Sequence, residues 1–300
     1  MSTETVLVTG ASGFLGAHLV RALLATGKRV EAVSRQPQSA AHPGLRWWQA
    51  DLAHAGEAER LLAATSPVVV FHLASLVSGK RDLSVVLPAF QANLESSVRL
   101  LAAATAAGTK RIVFTGSMEE PNPASSEAAG SPYAAAKGAA SLYVRFFRSV
   151  YETPVVSARV HMVYGPGQRD RTKVVPYSIL CALRGEAPQL SSGARPVEWI
   201  YIDDVIAGLL ARGDVPGIEG ESFDLGSGEL VTVRQIVEKI CHALQAPPPA
   251  IGALADRPLE PVRRANLAKG LSRLGWRPVV GLEEGLHRTI VGLRGEIAAR

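Results

Sequence analysis

Thr9-Gly10-Ala11-Ser12-Gly13-Phe14-Leu15-Gly16 follows the short apolar run Val6-Leu7-Val8 and opens a segment with helical periodicity. Gly10 permits a sharp turn, Gly13 lets an anion approach bare backbone, and Gly16 allows the helix to pack closely on a sheet. The N-terminus of that helix offers free N–H groups and a positive dipole to a phosphate. A strand, a glycine turn and a helix in this order predict a dinucleotide site. The residues predicted to hold the pyrophosphate are Gly10, Ser12, Gly13, Phe14, Leu15 and Gly16.

Outward from this motif, the chain alternates strand and helix patterns. Strands are predicted at 30–33, 68–73, 112–115 and 155–160, and helices at 14–26, 56–64, 92–107 and 133–150. Alternation of this kind is typical of a parallel sheet covered on both faces. After about residue 165, Pro- and Gly-rich pieces separate short helices at 174–184, 203–211, 232–245 and 282–294. We therefore predict an α/β fold, with a Rossmann doubly wound parallel sheet over 1–165. A smaller C-terminal α/β substrate lobe over 166–300 is expected to exchange some elements with the main sheet.

Composition and charge exclude several classes of protein. Of 300 residues, 47% are hydrophobic and 20% are charged, which is ordinary for a soluble globular chain. The net charge of +5 comes from scattered residues, and the densest basic run is only Arg263-Arg264, so no nucleic-acid partner is expected. No apolar run reaches the ~18 residues of a membrane span, and the N-terminus lacks the basic start of a signal peptide. These features predict a cytoplasmic protein without a membrane partner. Cys181 and Cys241 lack metal spacing and predict inert core positions, and no metal site is expected.

The end of the second predicted strand bears on the choice of cofactor. It reads Ala32-Val33-Ser34-Arg35, whereas an acidic residue at this point would bind the ribose 2′-hydroxyl of NAD. A hydroxyl followed by a guanidinium suits a 2′-phosphate, because arginine binds phosphate as a fork. The sequence therefore favours NADP(H) over NAD(H), with Ser34 and Arg35 as contacts. The alternative for Arg35 is a solvated loop residue.

A second motif, Tyr133-Ala134-Ala135-Ala136-Lys137, places a phenol and an amine four residues apart on one face of a helix. A phenol with a pKa near 10 is a poor base at neutral pH, and a neighbouring ammonium is expected to lower that pKa. Tyr133 would then move a proton on or off a substrate oxygen, while Lys137 would also hold the nicotinamide ribose. The motif follows a predicted strand that ends Thr115-Gly116-Ser117, which brings Ser117 to the same place.

The GxxGxxG spacing of the glycine turn differs from the GxGxxG of ordinary dehydrogenases. Together with the Tyr–Lys motif it resembles the extended short-chain dehydrogenases, the NAD-dependent epimerase/dehydratase family. Three further segments carry the likeness through most of the chain: Arg159–Gln168, Glu198–Val205 and Leu274–Pro278.

The resemblance assigns roles to several more residues. It implies that Ser117 hydrogen-bonds the reacting oxygen, and that Asn93 supports a bound water and Lys137; the alternative for Asn93 is a helix N-cap. Asp51-Leu52 resembles the pair that contacts adenine. His72-Leu73-Ala74-Ser75 resembles the strand end that lines the cofactor, with Leu73 and Ala74 as contacts. For His72 we expect a hydrogen-bonded structural role rather than a catalytic one.

Glu119 is the remaining catalytic candidate. In the 4,6-dehydratases that this sequence resembles, the matching stretch is Thr-Asp-Glu, and here it is Ser117-Met118-Glu119. The acid that would protonate the leaving hydroxyl is thus replaced by Met118. Glu119 is interpreted either as a base for a proton next to a carbonyl or as an exposed loop acid.

The substrate lobe departs from the family at two positions. An asparagine and an arginine that hold the substrate diphosphate in many members are replaced by Met162 and Val197. Arg195 is close enough to substitute, and Arg257 falls where a second diphosphate arginine is expected. A nucleotide sugar is the predicted substrate, and a ketone on another activated or polyketide-like scaffold is the alternative.

These observations predict an NAD(P)-dependent oxidoreductase acting at C4 of a nucleotide-activated sugar. The favoured reaction is NADPH-dependent reduction of a 4-keto-deoxysugar. The alternatives are a 4-epimerase or 4,6-dehydratase with tightly bound NAD, and a non-catalytic NADP-binding redox sensor. Apolar residues on the helices at 92–107 and 133–150 exceed what one sheet face needs, so a homodimer is also predicted. The resemblance implies that these helices pair into a four-helix bundle, as they do in relatives.

Overall fold

The computed structural model describes residues 4–124 and 126–298; the first three residues of the polar N-terminus discussed above lie outside them. Seven parallel strands form the main sheet, in the order β3-β2-β1-β4-β5-β6-β9. A three-stranded sheet has the order β10-β8-β7. The strands are β1 Thr5–Thr9, β2 Arg29–Ser34, β3 Leu45–Gln49, β4 Val69–His72, β5 Arg111–Ser117, β6 Val155–Val160, β7 Met162–Tyr164, β8 Pro196–Tyr201, β9 Ser222–Leu225 and β10 Leu230–Thr232.

Helices cover both faces of the main sheet. They are α1 Phe14–Ala25, α2 Glu57–Thr65, α3 Val86–Phe90, α4 Ser96–Ala106, α5 Pro132–Tyr151, α6 Val174–Leu183, α7 Ile202–Asp214, α8 Val233–Leu244, α9 Leu267–Leu274 and α10 Leu282–Ala298. A 3₁₀ turn, Leu83–Val85, precedes α3, and a π-helical segment, Gln91–Glu95, joins α3 to α4.

Side chains on the central strands point alternately to the two faces of the main sheet, and each face is covered by its own hydrophobic core. In β1, Val6 and Val8 belong to the core under α1 and α7, while Leu7 belongs to the core under α2, α4 and α5. In β5, Val113 faces the first core and Phe114 the second. A strand buried on both faces must be apolar at successive positions, which is why these segments are continuous apolar runs. The predicted doubly wound α/β fold is confirmed.

Two elements from the C-terminal half complete the nucleotide-binding sheet. β9 pairs in parallel with β6 at the edge of the sheet, from Ser157↔Ser222 to Val160↔Leu225. The helix α7 packs beside α1 in the same core. The small sheet holds β7 parallel and β10 antiparallel to β8. The domain boundary at residue 165 remains a prediction.

The structure differs from the sequence-based elements at several places, and the short strands β7, β8, β9 and β10 were among the elements not predicted. The strand β3 was not predicted, because its residues Leu45–Gln49 are only partly buried and include Arg46 between apolar positions. The eight-residue helix α9 was also missed, since only Gly270 of its residues is buried. The helix predicted from residue 92 begins six residues earlier, at Val86. Among the described helices, none combines the length and apolar composition that crossing a membrane requires.

Candidate active site

The glycine turn between β1 and α1 lies against the end of β4. Gly10 has a φ of 67°, and a Cβ there would lie 2.7 Å from the main-chain nitrogen of Ala74. A Cβ on Gly16 would lie 2.2 Å from the carbonyl oxygen of Gly10. Both contacts are with backbone, which cannot move aside as a flexible side chain would. Glycine is therefore required at these two positions for helix, turn and strand end to meet.

The N-terminus of α1 fits a dinucleotide pyrophosphate. Gly13 is its N-cap, and within the described part of the chain no side chain caps the helix and no acid stands in its first turn. The main-chain N–H groups of Phe14 and Leu15 have no intrahelical acceptor, because they belong to the first turn of a helix. An exposed glycine in front of free N–H groups is the arrangement that binds phosphate.

The predicted adenosine contacts lie at the ends of β2 and β3. The Ser34 hydroxyl lies 3.0 Å from the Ser12 hydroxyl and accepts the N–H of Gln36 at 3.2 Å. The Asp51 carboxyl accepts the N–H of Ala53 at 3.0 Å, and the following Leu52 is buried. Arg35 is exposed. The edge is thus fixed by hydrogen bonds up to Ser34, and Arg35 extends into solvent beside it.

The strand β5 and the helix α5 bring the catalytic candidates together. Ser117 is the last residue of β5, while Tyr133 and Lys137 lie one turn apart at the start of α5, and all three are buried. Ser131 fixes this helix start, since its hydroxyl accepts the N–H of Ala134 at 3.1 Å. The Ser117 hydroxyl accepts the N–H of Glu119 at 3.1 Å and also hydrogen-bonds the phenol of Tyr133.

Burial governs the proton affinities of Tyr133 and Lys137. It lowers the pKa of Lys137 to about 8, and the Glu120 carboxyl opposes this fall. The Lys137 ammonium donates to the carbonyl of Thr115 at 2.8 Å. Burial also raises the pKa of Tyr133 above its ordinary value, against the effect of hydrogen bonds with Ser117 and Ser75. The expected lowering of the phenol pKa by Lys137 is therefore absent from this geometry, because the cost of burying a phenolate is larger and the ammonium is directed to Thr115.

His72 is a structural residue in this arrangement. Its Nδ1 lies 2.8 Å from the Thr9 hydroxyl and its Nε2 lies 3.0 Å from the Ser97 hydroxyl. Burial lowers the pKa of His72 to about 3, with a smaller contribution from Lys137, so the ring is neutral. Both nitrogens are engaged between β1 and α4, as expected for a hydrogen-bonded strand-end histidine.

Asn93 lies inside the π-helical segment, and its interpretation as an N-cap is wrong. Its side-chain oxygen accepts the hydroxyl of Ser75 at 2.6 Å and the N–H of Leu76 at 2.9 Å, and its amide donates to the Leu76 carbonyl at 3.2 Å. Asn93 thus fastens the segment that follows β4, and Ser75 in turn hydrogen-bonds Tyr133. A π-helical turn inserts one extra residue, which redirects side chains, and such turns are frequent at functional sites.

Two acids follow Ser117. Glu119 is partly buried, so it is not an exposed loop acid, and burial raises its pKa while Arg195 and Lys173 oppose that shift. Glu120 is buried and its carboxyl accepts the N–H of Ser117 at 2.6 Å. Sequence reasoning missed Glu120. Its only signal was a second acid directly after a catalytic candidate.

The predicted substrate arginines lie on the same side as Glu119. Arg195 forms an ion pair with Glu260 at 3.0 Å and donates to the carbonyl of Pro261 at 2.9 Å. Arg257 is exposed, and its guanidinium and Lys173 both act electrostatically on Glu119. Lys173 was also missed; it is the residue immediately before α6.

The chain that builds this site also matches a known protein family. The family model described as the NAD dependent epimerase/dehydratase family matches residues 6–226, about three quarters of the chain. The chain belongs to this family. The predicted family is thereby confirmed, and with it the prediction of an enzyme.

Relatives of the epimerase/dehydratase family match almost the whole chain. The UDP-glucose 4-epimerase of Mycolicibacterium smegmatis is 32% identical, over 97% of this chain and 98% of its own length. The dTDP-glucose 4,6-dehydratase of Neisseria gonorrhoeae is 28% identical, over 97% and 96%.

Solved structures of the family show the same likeness. The UDP-glucose 4-epimerase of Thermotoga maritima with UDP-glucose superposes with a TM-score of 0.88 at 25% identity, covering 98% of this chain and 99% of that one. The Thermus thermophilus UDP-glucose 4-epimerase in complex with NAD has a TM-score of 0.83 at 28% identity, covering 97% and 99%.

Proposed function

We propose that this enzyme is an NAD-dependent 4-epimerase of a nucleotide sugar. The observation that carries the proposal is the buried set of Ser117, Tyr133 and Lys137, next to a buried Met118 where dehydratases hold an acid. Among the matched relatives are both 4-epimerases and 4,6-dehydratases. The methionine favours the first, because it has no proton to give to a leaving hydroxyl. The favoured sequence-based reaction, reduction with NADPH, becomes the second candidate.

The cofactor would be held by residues from four strand ends. The N-terminus of α1 takes the pyrophosphate, Ser34 and Asp51 the adenosine, and Leu73-Ala74 the middle of the molecule. When bound, NAD supplies a reversible hydride acceptor at C4 of the sugar. Lys137 holds the nicotinamide ribose.

The protein's own residues handle the proton. Tyr133 must first lose its phenol proton to solvent, a loss that burial opposes. The phenolate would then accept the proton of the C4 hydroxyl as that carbon is oxidised, and return it when the 4-keto sugar is reduced. Ser117, whose hydroxyl hydrogen-bonds Tyr133, would donate a hydrogen bond to the same substrate oxygen and orient it. Inversion requires that the second hydride reach the opposite face of the carbonyl carbon, so the sugar must turn within the site while its nucleotide stays bound.

The substrate diphosphate would lie among the cations around Glu119. Lys173, Arg195 and Arg257 are the positively charged groups there, in place of the family positions that Met162 and Val197 occupy as apolar residues. Val197 is buried in the small sheet, so it does not offer a substitute contact. The role of Glu119 as a base next to a carbonyl remains a proposal for a dehydratase or a related side reaction.

The test combines cofactor analysis with product analysis. Mass spectrometry of the nucleotide released on denaturation is expected to show NAD, and proton NMR is expected to show UDP-glucose converted into its C4 epimer without net change in cofactor. Tyr133→Phe should lower kcat about 100-fold or more, because the proton relay is lost. Tyr143→Phe, a change at an exposed tyrosine of the same helix, is the matched control. Loss of water from the sugar would instead identify a dehydratase.

Reduction of a 4-keto sugar with NADPH is the second candidate, and the exposed Arg35 beside Ser34 is the observation that favours it. Stoichiometric consumption of NADPH with a 4-keto substrate would establish it, provided that Arg35→Ala lowers the rate with NADPH more than it lowers the rate with NADH. A redox sensor would keep its response to NADP in the Tyr133→Phe variant. The homodimer and the cytoplasmic location remain predictions.

A further inference from the structure

Glu120 is a buried acid that the proposed chemistry does not use. One carboxyl oxygen accepts the main-chain N–H of Ser117 at 2.6 Å, and the other accepts the hydroxyl of Ser141 at 2.9 Å. Only 8% of the residue is exposed. Burial raises the pKa of Glu120, and the hydrogen bonds from Ser117 and Ser141 oppose that rise by favouring the ionised carboxylate.

The backbone beneath Glu120 is shaped to receive its side chain. A Cβ on Gly116 would lie 2.6 Å from the Glu120 Oε1 atom, so the carboxyl can reach the Ser117 N–H only across a glycine. The segment is also fixed from the C-terminal half. Arg263 donates to the carbonyl of Met118 and to the main-chain carbonyl of Glu120, each at 2.8 Å. The carboxyl of Glu120 is therefore held by the Ser117 N–H, and the backbone of the same segment is held by Arg263.

Charged groups from three elements face this carboxyl. The charged groups that act on it are Lys137 on α5 and Arg159 on β6. A third element carries Glu119, and both acids raise the pKa of the Tyr133 phenol. Within the described residues no carboxylate lies within 4.0 Å of the Lys137 ammonium. Among the charged groups, Glu120 is the one that acts on the proton affinity of Lys137. Arg159 is already paired with Asp224 at 3.1 Å.

We propose that Glu120 is a positioning residue that holds the backbone of Ser117 and supplies the counter-charge that keeps Lys137 protonated. The inference rests on the proposed roles of Ser117 and Lys137. A buried ammonium tends to lose its proton, and a nearby carboxylate offsets that tendency. The same carboxylate opposes a phenolate at Tyr133, so it stabilises the resting state in which the amine is charged and the phenol is neutral.

Glu120→Gln is the direct test, since it removes the charge and keeps an oxygen that can accept the Ser117 N–H. We expect kcat to fall about tenfold with KM within twofold. The pH above which activity declines should move down by roughly one unit, because the ammonium loses its counter-charge. Glu31→Gln is the matched control: Glu31 is also buried, on β2, and its carboxyl accepts the indole N–H of Trp48 at 2.6 Å. An unchanged pH profile in Glu120→Gln would overturn the proposal.

A double-mutant cycle supplies a readout that does not need turnover. The effects of Glu120→Gln and Lys137→Met on the urea unfolding equilibrium should be non-additive, with the first substitution costing less when the lysine is absent. The same cycle with Glu31→Gln should be additive. Additivity for Glu120 would refute the charge pairing even if the protein turned over no nucleotide sugar. A protein with coupled residues and no activity would instead count against the proposed function alone.

Ser141→Ala gives a second variant should Glu120→Gln fail to fold. It removes one hydrogen bond to the carboxylate without touching Ser117 or Lys137, so it makes the ionised acid less stable. The decline of activity at high pH should then shift in the same direction as in Glu120→Gln, by a smaller amount. A shift in the opposite direction, or none, would contradict the proposal.

Discussion

Gly16 shows how a single missing side chain places the cofactor site. A Cβ added to Gly16 would lie 2.2 Å from the Gly10 carbonyl oxygen and 2.7 Å from the Ala11 Cα. Gly16→Ala must push α1 away from the turn, and we expect a loss of roughly 1–3 kcal/mol in the free energy of unfolding together with weaker NAD binding. Urea denaturation and calorimetric titration measure the two effects. Gly295→Ala, in α10 with open space around it, should leave NAD binding intact and stabilise the helix.

Lys137 links stability to pH. Its pKa in the folded chain is about 8, against an ordinary value of 10.5, so the unfolded chain binds more protons between these values. Stability contributed by this group is therefore lowest below pH 8 and rises as the pH approaches 10.5. Lys137→Met should remove this rise and gain on the order of 1–3 kcal/mol at pH 7, while abolishing activity. Unfolding curves at pH 7 and at pH 9.5 test this; an equal slope in both proteins would exclude it.

At the scale of the element, helix α5 depends on its cap. Ser131→Ala should cost about 1 kcal/mol and also lower kcat, because Tyr133 stands in the first turn that the cap fixes. Thr232→Ala is the control, since Thr232 caps α8, a helix that carries none of the catalytic candidates, and should cost a similar amount of stability with kcat unchanged. Thermal unfolding and steady-state kinetics of both variants make the comparison. Equal kcat values in the two would show that the cap serves stability alone.

Elements with a strong local signal were predictable, and those fixed by distant contacts were not. The strand β6 matches its predicted range, because a continuous apolar run on a central strand reports its own burial. The π-helical segment around Asn93 was not predictable, since it depends on the Ser75–Leu76 backbone 17 residues away. The role of Glu120 was not predictable for the same reason, because Ser141 and Lys137, which surround its carboxyl, come close to it only when α5 packs against β5.

At the scale of the whole molecule, exposed apolar side chains mark the predicted dimer face. They lie on the turn before α3, on α3 itself and on α5: Leu83, Leu87, Phe90, Leu142, Phe146 and Val150. On the first helical stretch they occupy 83–90 rather than the predicted 92–107. A patch of this kind on two adjacent helices fits a second copy of the chain.

The homodimer is tested by charge placed on this face. Phe146→Glu should convert the dimer to a monomer in sedimentation velocity at micromolar protein, because a carboxylate buried between four helices is costly. Val279→Glu, at a still more exposed apolar residue outside the face, should leave the assembly unchanged. A wild-type protein that sediments as a monomer would remove the prediction.

The pairing of β9 with β6 has a consequence for engineering. A chain cut after β6 would lose β9, the last strand of the main sheet, and α7, the helix that packs beside α1. The edge of β6 would then be unpaired, and the apolar residues that α7 covers would be exposed to solvent. The two halves are therefore interleaved rather than joined end to end. Exchanging substrate preferences between relatives would have to proceed by replacing loops, since a wholesale transplant of the second half would remove part of the nucleotide-binding half with it.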